Sequence, residues 1–220
     1  MPEFDPQQLS ITERYKLLIG SVVPRPIGFI STISPSGAHN VAPYSFFNAV
    51  GSNPMTMLFC PANDGRGAEK DSLRNARLEA NGGTGEFVVN VATEEIIRQV
   101  VASSEPLPPE ESEFDLTGLT PAPCRVVKAP RVAESAVSFE CRTTRIIQTN
   151  PGAPAGGNLV LGEVVHVWVR EGLVNERMHV HPGALAAVGR MGGQGYATTR
   201  ERFELPSSKE ALVRTKNSDL

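Results

Sequence analysis

Short apolar stretches that alternate with polar positions, punctuated by Gly, Pro, Asn and Ser, dominate the chain. Residues 27–33 read as a strand: Ile27, Phe29, Ser31 and Ile33 fall on one face, Gly28, Ile30 and Thr32 on the other. Pro24-Arg25-Pro26 before them stops a helix and favours extended backbone, and Pro35-Ser36-Gly37 after them is a turn signal. Residues 40–48 predict a second extended segment, and residues 55–60, closed by Pro61, a third. Residues 86–91 are strand-like. Across 136–147, Val137, Phe139 and Cys141 share one face, with Ser138, Glu140, Arg142 and Thr144 opposite. Residues 159–170 are apolar on both faces except at Glu163 and His166, as expected of a barrel strand covered on both sides.

Helical periodicity is scarcer. Ser10 and Glu13 stand at capping-box spacing for a short helix reaching about Leu18. Residues 69–80 predict the clearest helix, capped by Asp71 and Ser72 and ended by Asn81-Gly82-Gly83, and residues 94–102 predict another. Residues 103–123, rich in Pro, Glu and Ser, read as a long surface excursion, and the mixed-charge tail from Pro206 as loosely held. Six or more strands, few helices and no regular strand-helix-strand alternation predict a mainly β chain built as one barrel domain.

Composition narrows the classes. Gly 20 and Pro 18 in 220 residues suit many strands joined by tight turns, and 40% hydrophobic residues suffice for a core. A net charge of −3 gives no support to nucleic-acid binding. No apolar run approaches the roughly 18 residues of a membrane helix, and residues 1–16 lack the basic start and apolar centre of a secretory signal. Cys60, Cys124 and Cys141 show no CxxC and read as buried, reduced thiols, so a cytoplasmic protein without disulfides or zinc is expected.

Three segments can carry chemistry. Ser31 and Thr32 lead through the turn to Ala42-Pro43-Tyr44-Ser45-Phe46-Phe47, where hydroxyls and backbone N–H groups beside aromatics suit a flat ring with hydrogen-bonding edges. An ordinary hairpin with core aromatics fits the same residues. Lys70, Asp71 and Ser72 open a predicted helix, where free N–H groups and a lysine suit a phosphate monoester, although a capped surface helix with a solvated lysine reads equally. Residues 189–196 carry the glycines of a dinucleotide fingerprint without its strand-turn-helix setting, and read instead as a close-approach loop bearing Arg190 and Tyr196. His179 and His181 share a strand face but lack a third ligand, so no metal site is expected. His166, beside Trp168 and Arg170, is either satisfied core or close to a ligand.

In this order the segments resemble the flavin reductase-like, FMN-binding split-barrel family. The resemblance runs from about residue 19 to residue 206. It rests on PRPIGFISTISPSGAHNVAPYSFFNAVGSNPMTMLF, then EKDS, GEFVVNVAT, and GRMGGQGY followed by FELP. It implies an antiparallel split β-barrel with short flanking helices, between an N-terminal extension (1–18) and a C-terminal tail (207–220). It further implies a homodimer with flavin near the subunit interface. Ser31, Thr32 and residues 42–47 would hold the isoalloxazine and ribityl chain of FMN, and Lys70, Asp71 and Ser72 the phosphate. Ser72 stands where the family commonly has threonine. Arg25, Arg190 and Tyr196 match recurrent family positions, and Arg25 or a backbone N–H would face flavin N1 and O2. NADH or NADPH would deliver hydride to flavin N5 with no catalytic acid or base. FAD is an alternative flavin, and a partner monooxygenase one destination for the electrons. A flavoredoxin-like electron carrier without NAD(P)H oxidation is the second reading, and a flavin-free interaction protein the third.

Overall fold

A computed structural model describes residues 1–108 and 111–212; the expected tail beyond residue 212 lies outside them. Capping fixes the first element. Ser10 Oγ accepts the Glu13 N–H and the Glu13 carboxylate accepts the Ser10 N–H, opening helix α1 (Ile11–Ser21), which runs three residues past the predicted end. The prolines then force the extended pair β1 (Arg25–Pro26).

Alternation builds the main sheet from β2 (Gly28–Ile33), β3 (His39–Tyr44), β4 (Phe47–Ser52), β5 (Met55–Phe59), β6 (Glu86–Val91), β9 (Val137–Gln148) and β10 (Asn158–Val169). Its order is β3-β2-β6-β9-β10-β5-β4, with every neighbour antiparallel. The predicted single segment 40–48 is therefore two strands. The chain turns at Ser45 and Phe46, so its halves become the two opposite edges of the sheet. The pairs β7 (Pro121–Ala122) with β8 (Arg131–Val132), and β11 (Val188–Arg190) with β12 (Tyr196–Thr198), are short; β11 also pairs with β1.

Both faces of β2 are buried, each in its own core. Ile30 packs with Tyr44, Phe59, Phe87, Val89, Cys141 and Val160. Phe29 packs with Val41, Ile96, Val100, Phe114 and Leu119. These last residues belong to, or adjoin, the short helices α3 (Ile97–Ala102) and α4 (Glu113–Thr117). The stretch 103–123 is thus not only a surface excursion: Phe114 and Leu119 are buried and clamp it to the barrel. At Gly28 the strand meets Phe47, and an added Cβ would lie 2.6 Å from the ring. Only glycine lets β2 pass that ring.

The predicted helix 69–80 is a six-residue α2 (Asp71–Ala76), with Lys70 at its N-cap and no side-chain cap. Its shortness has a tertiary cause. The returning chain takes the carbonyls a longer helix would use: the Thr84 N–H donates to Asn75 O at 2.8 Å and the Gly85 N–H to Arg77 O at 2.7 Å. Leu73 and Ala76 still reach the barrel core. A four-residue α5 (Pro182–Leu185) completes the α-helices of the described residues.

Candidate functional site

Two cavities, of about 290 Å³ and about 230 Å³, share Pro43 and Ser104 in their walls and lie side by side along edge strand β3, as a groove in two parts. The larger is walled by Asn40, Ala42, Pro43 and Tyr44 of β3, by Lys70, Asp71 and Ser72 at the start of α2, and by Glu113. The smaller is lined by Pro43, Ser45, Ile27, Tyr15, Arg190 and Tyr196, with Val100, Val101 and Ser104. Residues more than a hundred positions apart thereby meet.

Behind the larger cavity lies a closed polar network. Asn40 Nδ2 donates to Thr32 Oγ1 at 3.1 Å and to Ser72 Oγ at 2.9 Å, and Asn75 Nδ2 donates to Thr32 Oγ1 at 3.0 Å. Thr32 and Ser72 are almost completely buried, so these hydroxyls fix β2, β3 and α2 relative to one another. Tyr44 packs its ring on Phe59 at 5.3 Å between centroids. Burial pushes its phenol up to about 12, against the hydrogen bond with Ser72, so it stays neutral.

Charge in this cavity is mostly neutralised locally. Asp71 pairs with Arg74, and Glu69 with Arg77. The Asp64 carboxylate accepts the Arg66 and Ala68 N–H groups. Lys70 is exposed and makes no ion pair among the described residues.

Glu113 is the residue that sequence reasoning missed, because a lone carboxylate in a Pro- and Glu-rich stretch has no distinguishing pattern. It is buried, and its Oε2 accepts the Val41 N–H at 3.0 Å. Pro43, two residues on, has no N–H, so two outward positions of edge strand β3 are closed to further strand pairing. Burial raises the Glu113 carboxyl above the ordinary range despite the Val41 bond, and nearby Asp71 adds to the rise. The folded state therefore holds this proton more tightly than the unfolded chain. Its stabilising contribution is complete below about pH 4.3 and is lost as pH rises through the raised value. Glu113→Gln keeps an acceptor for Val41 and removes the titration. Melting temperatures of the two proteins, compared from about pH 4 to about pH 8, are expected to diverge in the variant's favour as pH rises; parallel curves would contradict the assignment.

Not every expected residue reaches the groove. Ser31 lies on the opposite face of β2 from Thr32, as alternation requires; its hydroxyl donates to Pro130 O and accepts from Asn90 Nδ2. Phe46 is largely exposed at the corner. Phe47 and Arg25 line a separate apolar cavity of about 390 Å³. Four of the five Arg25 N–H groups are already held: by Ser45 Oγ at 3.1 Å, Ile19 O at 2.7 Å, Val22 O at 2.8 Å and Met191 O at 3.0 Å. Burial lowers its pKa, and the side chain is only 4% exposed. Arg25 ties the end of α1, the corner at Ser45 and the 191–195 loop together. His166 lies outside the groove, its Nδ1 3.1 Å from buried Glu140 Oε1. His181 caps α5 by accepting the Ala184 N–H. Among the described residues no three His, Cys, Asp or Glu side chains gather as metal ligands.

The family model described as flavin reductase like domain matches residues 19–189. The chain belongs to the flavin reductase-like family. Component B of nitrilotriacetate monooxygenase from Bacillus cereus is similar to it, with 35% identity, a TM-score of 0.86, and coverage of 93% of this chain and 98% of that one. The 2-nitrobenzoate 2-nitroreductase NbaA of Pseudomonas fluorescens is 27% identical with a TM-score of 0.82, covering 98% of this chain and all of that one. A Shewanella frigidimarina protein with a split barrel domain, 23% identical with a TM-score of 0.75 over 94% of this chain and all of that one, supports the fold alone. The seven-stranded sheet is thus the split barrel of the flavin reductase-like family. Tyr15, Arg190 and Tyr196 lie outside the matched span yet line the smaller cavity.

Proposed function

We propose that the groove holds FMN and that the protein reduces it with NADH or NADPH. One observation carries this reading: along β3, Lys70, which makes no ion pair among the described residues, stands at one end of a wall formed by Ala42, Pro43, Tyr44 and Ser45. That arrangement suits a flat ring carrying a phosphorylated tail. Lys70 takes the phosphate as a point charge, with Asp71 and Ser72 beside it. The Thr32–Asn40–Ser72 network holds the wall rigid behind the ribityl chain, and Ala42, Pro43, Tyr44 and Ser45 position the ring. Bound flavin supplies the hydride acceptor, so the chain needs no acid or base of its own for that step. Its residues orient, shield and electrostatically favour the reduced ring. Arg25 acts by position, because its guanidinium is already engaged; a backbone N–H near the corner at Ser45 is the better donor to the ring.

A homodimer belongs to the same reading. The edge strand β4 is exposed along the other side of the sheet and offers a surface for it. The monooxygenase component among the similar structures supports delivery of electrons to a partner oxygenase, and FAD is an alternative flavin. Purified protein mixed with FMN and either NADH or NADPH, followed at the nicotinamide absorbance, tests the proposal. Consumption that depends on both protein and flavin is expected. Tight FMN binding without consumption would replace this reading with that of an electron carrier.

A further inference from the structure

We infer that Tyr15, with Arg190 and Tyr196, forms an outer clamp for the nicotinamide dinucleotide, the first of them supplied by helix α1, which begins before the span that the family model matches. The inference rests on the flavin reading of the groove and assigns its second ligand.

Tyr15 of α1 lines the smaller cavity together with Arg190 and Tyr196, which lie far along the chain. The Arg190 guanidinium stands 4.4 Å above the Tyr196 ring and donates to Gly193 O, which fixes both side chains. Helix α1 is not a loose appendage. Buried Arg25 holds its last carbonyls, Ile19 O and Val22 O, and through Met191 O the same guanidinium holds the loop between Arg190 and Tyr196. Tyr15 and the Arg190–Tyr196 pair are therefore set by one bolt.

Exposure separates this layer from the flavin wall. Tyr15 is 53% and Tyr196 37% exposed, against 7% for Tyr44. The outer pair stands where a ligand arriving after the flavin is met. Charge defines its class. The described lining of the smaller cavity includes Arg190 and no carboxylate, and Arg25 adds a second cation nearby. Aromatic walls with an uncompensated guanidinium suit a flat ring attached to an anionic chain, as in the pyridine ring and pyrophosphate of the nicotinamide dinucleotides.

Tyr15→Leu and Tyr15→Phe test this against the wild type by three measurements: titration with oxidised NAD⁺ and NADP⁺ in the presence of FMN, titration with FMN alone, and anaerobic reduction at increasing NADH or NADPH. Tyr15→Leu is expected to weaken the dinucleotide about three- to tenfold, the range of one aromatic contact, while FMN affinity and melting temperature hold. Tyr15→Phe should restore the dinucleotide affinity. A variant that binds the dinucleotide as well as the wild type, or that loses FMN affinity instead, overturns the inference while leaving the flavin site standing. A wild-type protein that takes up no FMN overturns the flavin reading and the clamp with it.

Discussion

Lys70→Ala is expected to weaken FMN about ten- to hundredfold while leaving riboflavin, which lacks the phosphate, essentially unaffected. A charged hydrogen bond of this kind contributes roughly 1.5–3 kcal/mol, and the other cation lining the larger cavity does not replace Lys70. Arg74, the second cation of that wall, is engaged by Asp71 and by the carbonyl of Glu69. The fold should not notice the change. Lys70 is exposed and, although it occupies the N-cap of α2, makes no capping bond that alanine would lose. The salt dependence of wild-type binding should shrink in the variant for the same reason. Titration of flavin fluorescence with both flavins checks the result. Equal loss of FMN and riboflavin would mean that the lysine shapes the ring pocket, and no loss of either would place the phosphate elsewhere.

Arg25→Ala should produce the largest loss of stability, roughly 2–4 kcal/mol, because it removes a buried guanidinium and its four bonds to Ile19 O, Val22 O, Met191 O and Ser45 Oγ. For a chain of this size that corresponds to a fall in melting temperature of about 5–15 °C. Arg25→Lys should recover little, since one ammonium cannot span acceptors on α1, the corner and the 191–195 loop as a planar fork does. Flavin reduction should slow as well, through displacement of Ser45 and the Arg190–Tyr196 loop. An Arg25→Ala protein with wild-type melting temperature would mean that the four bonds contribute nothing net.

The elements with local causes were legible in the sequence. The capping box at Ser10 and Glu13 and the alternation of Phe29 with Ile30 appear in the structure on the expected positions and faces. What sequence reasoning missed is set by distant residues. Helix α2 stops early because Thr84 and Gly85 claim its carbonyls, and no propensity within residues 69–80 records their approach. Ser31 and Thr32 look alike as residue types, yet only Thr32 faces the groove network. Arg25 stood out as a charge before a strand, but its four acceptors come from positions 19 to 191. Glu113 and Tyr15 belong to the groove through packing alone, one from a polar stretch and one from the N-terminal extension.

The Val41–Glu113 bond on β3 has a consequence for how copies of the chain can add to one another. With α4 bonded to that rim and Pro43 offering no donor, the main sheet can be lengthened by strand addition only at β4. Two molecules meeting there would use up the one available side of each, leaving nothing for a third to extend. Growth by that route would end at a closed pair rather than a fibre.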